Sequence, residues 1–164
     1  MIVDLPTPQD FEDAALAFLN FAWDQAVRLL GELDEARVDE WADDEDQQDV
    51  RERFWKTARR ELGVGLALAQ QGAEFLIKAR IAAISPFMLL SGGPKEWPGG
   101  EKNLPFADLR TIDAQDLVRV HDSISSSRLA TEFVDEFEKV RRLRNTIMHT
   151  VDSRVAVSVE TLIM

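Results

Sequence analysis

The stretch LATEFVDEFEKVRRLRNTIMHTV, Leu129 to Val151, decides the fold. Its apolar residues Leu129, Phe133, Phe137, Val140, Leu143, Ile147 and Val151 recur at intervals of three and four, the spacing that gathers side chains onto one face of an α-helix. No other stripe in the chain is as regular. Ser125, Ser126 and Ser127 stand just ahead of it, and serine hydroxyls satisfy the free N–H groups of a first helical turn, so they predict its cap.

Working outward, the same signals recur. Thr7 followed by Pro8 and Asp10 predicts a helix start: Thr7 as N-cap, Pro8 at the first helical position, Asp10 near the positive end of the helix dipole. The stripe that follows runs through Phe11, Ala14 or Ala15, Phe18, Ala22, Gln25 or Ala26, Leu29 and Leu33, with Gly31 and an acidic run predicted to end it. A longer helix is expected from Asp46–Arg51 through Phe54, Ala58, Leu62, Leu66, Ala69, Phe75, Leu76, Ala79 and Ala83, stopped or kinked at Ser85 and Pro86. Gly63, Gly65 and Gly72 each weaken it by up to ~1 kcal/mol relative to alanine, which points to close helix contact or a bend. The Gly/Pro-rich segment 91–105 reads as an irregular loop, and Asp113 to Asp116 as the cap of a short helix ending near Ser123. Beyond the deciding helix, Val155, Val157 and Val159 alternate before Leu162, Ile163 and Met164. The tail 152–164 is therefore a short strand or another helical turn, and an apolar end of this kind is consistent with continuation into further chain. Four to five helices with hardly any strand signal predict an all-α bundle, one domain over 1–164.

Composition narrows the function. At 45% hydrophobic and 30% charged residues, the chain has the means to bury a core. It lacks cysteine, which excludes a disulfide scaffold, a thiol nucleophile and Cys-built metal centres, and suits a reducing cytoplasm. No secretory signal opens it, and no apolar run reaches the ~20 uninterrupted residues a membrane span needs. The formal charge of −11 argues against a general nucleic-acid coat. Most of that charge is local: Glu32–Asp49 carries −9 and reads as an acidic solvated segment (32–49) without chemistry, leaving −2 for the rest. From Lys139 to His149 there are four basic residues and no acid, so a confined phosphate site remains open.

Two histidines occur. His121, beside Asp122, reads as an ordinary helix-end histidine, whereas His149 closes a run of Arg141, Arg142, Arg144 and Asn145 at the end of the strongest helix. With Val140 at the centre of the apolar face, Arg144 lies ~40° away, so its guanidinium faces the packed side and calls for a carboxylate, a subunit boundary or an anionic ligand. Glu74, one turn from Lys78 on the second helix, is a candidate partner. A solvent face or internal bridge is the simpler reading of Glu74 and Lys78, and a place beside the active site the functional one. His149 falls ~140° from Arg144, so one phosphate can meet both only if the helix distorts near Thr146 and Ile147 or two copies meet across a two-fold axis. Asn145 and His149 share a face, extended by Arg141. Of the tryptophans that could stack on bases, Trp23 and Trp55 are assigned to core or interface and Trp97, in the Gly/Pro loop, to the exposed surface.

Arg144 and Asn145, three further residues and His149, late in a long helix of an all-α domain, resemble the signature of the HEPN superfamily: an arginine, four to six residues, then a histidine, with a polar residue often next to the arginine. The strict match covers six residues, and the helical context Thr7–Val151. The resemblance implies a homodimeric, metal-independent endoribonuclease without cofactors, both motifs lining one cleft at the dimer interface. It implies products with 2′,3′-cyclic phosphate and 5′-hydroxyl ends, and a toxin or anti-phage effector restrained by an antitoxin or regulatory partner. Arg144, Asn145 and His149 are the expected catalytic residues, Arg141 and Arg142 the expected RNA-binding ones. The alternative is a noncatalytic helical interaction or RNA/nucleotide-binding module of a larger assembly, for which the acidic stretch and the apolar C-terminal end speak.

Overall fold

The computed structural model describes residues 1–35, 48–93, 97 and 103–149. The chain is mostly helical: β1 (Ile2–Val3), α1 (Pro8–Glu35), α2 (Gln48–Ala82), a 3-10 turn (Pro86–Leu89), β2 (Leu104–Pro105), a second 3-10 turn (Phe106–Asp108), α3 (Ala114–Ile124) and α4 (Thr131–His149). The acidic segment, Trp41 and the tail beyond His149 fall largely or wholly outside the described residues.

Helix α1 starts where Thr7 predicts. The Thr7 hydroxyl accepts from the Asp10 N–H at 3.2 Å, and both the Thr7 N–H and hydroxyl donate to Asp10 Oδ2 at 2.7 Å, a reciprocal cap on the first turn. These bonds hold the Asp10 carboxyl below its ordinary pKa, the Thr7 backbone N–H contributing most. Gly31 does not end the helix, which runs four residues further. One glycine costs at most ~1 kcal/mol against Ala, little for a helix of 28 residues, and Arg28 reaches across it to Glu32 at 2.6 Å.

The chain forms two compact units, Met1–Ala17 with Gln71–Glu138, and Phe18–Gln70 with Lys139–Met164. In the first, Ile77, Ile81, Leu89, Leu90, Phe106, Leu117 and Phe137 make a continuous apolar core. Phe11 meets Phe75 edge-on at 5.8 Å. Two short strands, missed by the sequence reading, lie on this core: β1 pairs in parallel with β2, Ile2 opposite Leu104 and Val3 opposite Pro105. Two-residue strands leave no alternation to detect, and β2 arises inside the stretch expected to be irregular. The expected Ser125–Ser127 cap serves α3 instead. Ser125 N–H donates to His121 O at 2.9 Å, closing α3, while α4 begins six residues later with Val134 N–H bonded to Ala130 O. Asp113 occupies the N-cap position of α3, but its carboxylate faces Arg110 at 3.4 Å and makes no capping bond.

In the second unit Leu29, Ala58 and Leu62 are buried, with Phe54 and Trp55 packed on them. Arg28 of α1 donates to Glu61 of α2 at 2.7 Å and to Gln25 at 2.7 Å. Glu61 first and Glu32 second raise the Arg28 pKa above its ordinary value.

Trp55 packs as expected, Trp97 departs from its assignment, and Trp23 lies outside the core of its own chain. Trp23 is 70% exposed, while Trp97 packs on the first unit's core with its ring stacked on Phe87 at 6.3 Å. Trp23 sits ~100° off the stripe through Ala22, and an indole near an apolar core gains more from burial than its loop gains from freedom.

Candidate functional site

The segment from Lys139 to His149 forms the end of α4 and belongs to the second unit. Its backbone remains α-helical throughout, without a break near Thr146 and Ile147, and the side chain of His149 lies outside what the structure describes. The Thr146 hydroxyl donates back to Arg142 O at 2.9 Å, a bond compatible with continuous helix. Within one chain the ~140° between positions 144 and 149 therefore stands.

One small residue of α2, Gly63, lies against this part of α4, while Gly65 lies against α1. A methyl group at Gly63 would stand 3.2 Å from Ile147 Cγ2, tighter than ordinary contact. At Gly65 it would meet Ala22 O and Gln25 Cβ at 3.8 Å. The glycines read from sequence as a close-contact signal do mark one, and Gly63 faces the residue midway between Arg144 and His149.

Arg144 and Asn145 are both half-buried, and Arg144 Nη1 donates to Asn145 Oδ1 at 3.0 Å. Among the described residues the partner of Arg144 is thus a neutral amide on its own helix rather than a carboxylate, the first of the three expected answers to its charge; a subunit boundary and an anionic ligand are the other two. An amide oxygen fixes the plane of the guanidinium without neutralising it, leaving the charge available to an anion. Arg141 is half-buried and Arg142 exposed. Comparison with family models, with curated proteins and with solved structures finds no match.

Glu74 and Lys78 lie on the α2 portion of the first unit. Both are half-buried, and Lys78 Nζ sits 5.2 Å over the Phe75 ring. Burial pulls the Lys78 pKa below its ordinary value against the opposing pull of the Glu74 charge.

The sequence reading understated His121. It is 1% exposed, and its Nδ1 donates to Asp122 Oδ1 at 2.9 Å. The same carboxylate oxygen accepts the Leu129 N–H at 3.0 Å, tying the end of α3 to the approach of α4. These bonds, His121 first, hold the Asp122 carboxyl below the usual carboxylate range. The adjacent His-Asp pair was the available signal. Its role is to set where α4 begins.

Proposed function

We propose that this chain is a metal-independent endoribonuclease of HEPN type, acting as a homodimer whose two α4 ends share one RNA cleft. The observation that carries the reading is the Arg144–Asn145 hydrogen bond: a half-buried guanidinium, held by an amide and with no ion pair among the described residues, five positions before His149 on the same helix. RNA supplies its own nucleophile. The ribose 2′-hydroxyl loses its proton to the neutral His149 imidazole of one copy and attacks phosphorus; the P–O5′ bond breaks, and the leaving oxygen takes a proton from the protonated His149 of the other copy. Arg144 stabilises the charge that develops on the non-bridging oxygens, Asn145 positions Arg144, and Arg141 and Arg142 hold neighbouring phosphates. Because Arg144 and His149 diverge on one helix, the arginine of one copy serves the histidine of the other. The products are a 2′,3′-cyclic phosphate and a 5′-hydroxyl. Activity of this kind inside its own cell calls for a restraining partner, in keeping with a toxin or anti-phage effector.

The test is cleavage of end-labelled RNA in EDTA by the wild type, Arg144→Ala and His149→Ala. Metal-resistant cleavage lost in both variants supports the reading, and equal cleavage in all three overturns it. The rival, a noncatalytic interaction module, draws on the exposed apolar side of α1 at Trp23, Val27 and Leu30. It predicts RNA-independent association and no cleavage.

A further inference from the structure

A groove of about 560 Å³ in the first unit is lined by Glu12 and Leu16, one turn apart on α1, by Leu76 and Arg80, one turn apart on α2, and by Leu129 ahead of α4 with Phe133 in its first turn. Its floor is Ile77, part of the core. Leu16 leaves 55% of its surface exposed and Phe133 36%, while the Phe133 ring is held in stacked contact with buried Phe137 at 6.1 Å. Glu12 and Arg80, both exposed, line the same groove yet neither has a hydrogen bond or ion pair among the described residues. The groove thus combines an apolar centre with one acid and one base left to external partners.

That combination is self-complementary. A two-fold axis through the groove carries Glu12 of each copy toward Arg80 of the other and sets Leu16 and Phe133 against their counterparts. A nucleic acid would answer Arg80 and be repelled by Glu12, and a lipid chain would leave both charges unanswered. We propose that this face docks a second copy of the chain. The inference goes beyond the nuclease reading, since association here requires neither RNA nor the end of α4.

The experiment is sedimentation of the full chain across a concentration series with Glu12→Arg, Arg80→Glu, their equimolar mixture and the double variant, circular dichroism verifying the fold. Each single variant places like charges at both contacts, and self-association is expected to weaken at least ~10-fold. In the mixture, arginines of one chain face glutamates of the other, so a heterodimer regains the lost affinity, and the double variant regains it alone. A wild type that stays monomeric throughout, or single variants that sediment with the wild-type mass at every concentration, overturns the proposal; where the α4 ends also join two copies, the wild type exceeds a dimer and each single variant falls back to one. RNA cleavage measured on the same samples separates the two readings: monomeric variants that still cut RNA uphold this face and reject the shared cleft.

Discussion

Asn145 gives its amide oxygen to Arg144, and a substitution there separates orientation from charge. Asn145→Ala leaves the guanidinium charged but unpaired, so under the proposed nuclease mechanism RNA cleavage should fall by about one order of magnitude, less than the ~10²–10⁴-fold that mechanism expects when His149→Ala removes its proton-transfer group. Equal losses in both variants would make Asn145 more than a positioning residue. The second decisive residue is Asp122. Asp122→Ala removes the partner of a buried imidazole and of the Leu129 N–H, and thermal or denaturant unfolding should register a loss of about 1–3 kcal/mol. The pH dependence has a definite sign. With the folded-state pKa of Asp122 depressed, its contribution is complete above the ordinary carboxylate pKa and fades as pH falls through the lower folded value. Wild type and Asp122→Asn should therefore converge in stability under strong acid and diverge above it.

At the level of elements, the start of α1 and the crossing of α2 with α4 make the sharpest expectations. Thr7→Ala removes a reciprocal cap and should cost about 1 kcal/mol, seen as a lower denaturant midpoint with an unchanged slope. Gly63→Val forces a branched side chain against Ile147, where even a methyl is tight. Crowding at a packed contact costs about 1–3 kcal/mol, and because Ile147 lies between Arg144 and His149, cleavage should drop further than the lost stability explains. Gly31→Ala, with open space around it, should instead stabilise α1 slightly. The element reading also shows what the residues disclosed in advance. Helical spans were legible because their stripes extend over several turns, and the Thr7 cap because its chemistry is local. The switch of Ser125 from the start of α4 to the end of α3 was not, because a serine between two helices caps either one until the His121–Asp122–Leu129 contacts fix the turn.

For the whole molecule, charge is the governing quantity. At a formal −11 the chain repels a polyanion at long range, so the proposed RNA binding requires close contacts at the end of α4. Affinity should therefore fall as salt rises, and replacing both Arg141 and Arg142 by alanine should reduce the slope of log K against log salt by about 0.7 for each lost phosphate contact. A slope unchanged in that double variant would remove both residues from the interface. No described helix is long and apolar enough to cross a membrane.

The amino-acid sequence alone determined the helical class, the extents of the long helices to within a few residues, the cap at Thr7 and the position of Arg144, Asn145 and His149 on one helix. Each follows from interactions within one or two turns, or from a repeat summed over many. Tertiary structure alone decided that Trp97 packs on the core while Trp23 stays in water, that Ile2 pairs with Leu104, and that Gly63 sits under Ile147. It also revealed Glu12 and Arg80 on one groove, 68 positions apart in the chain. Burial and pairing of that kind depend on which distant surfaces meet, and no local pattern of residues records that distance.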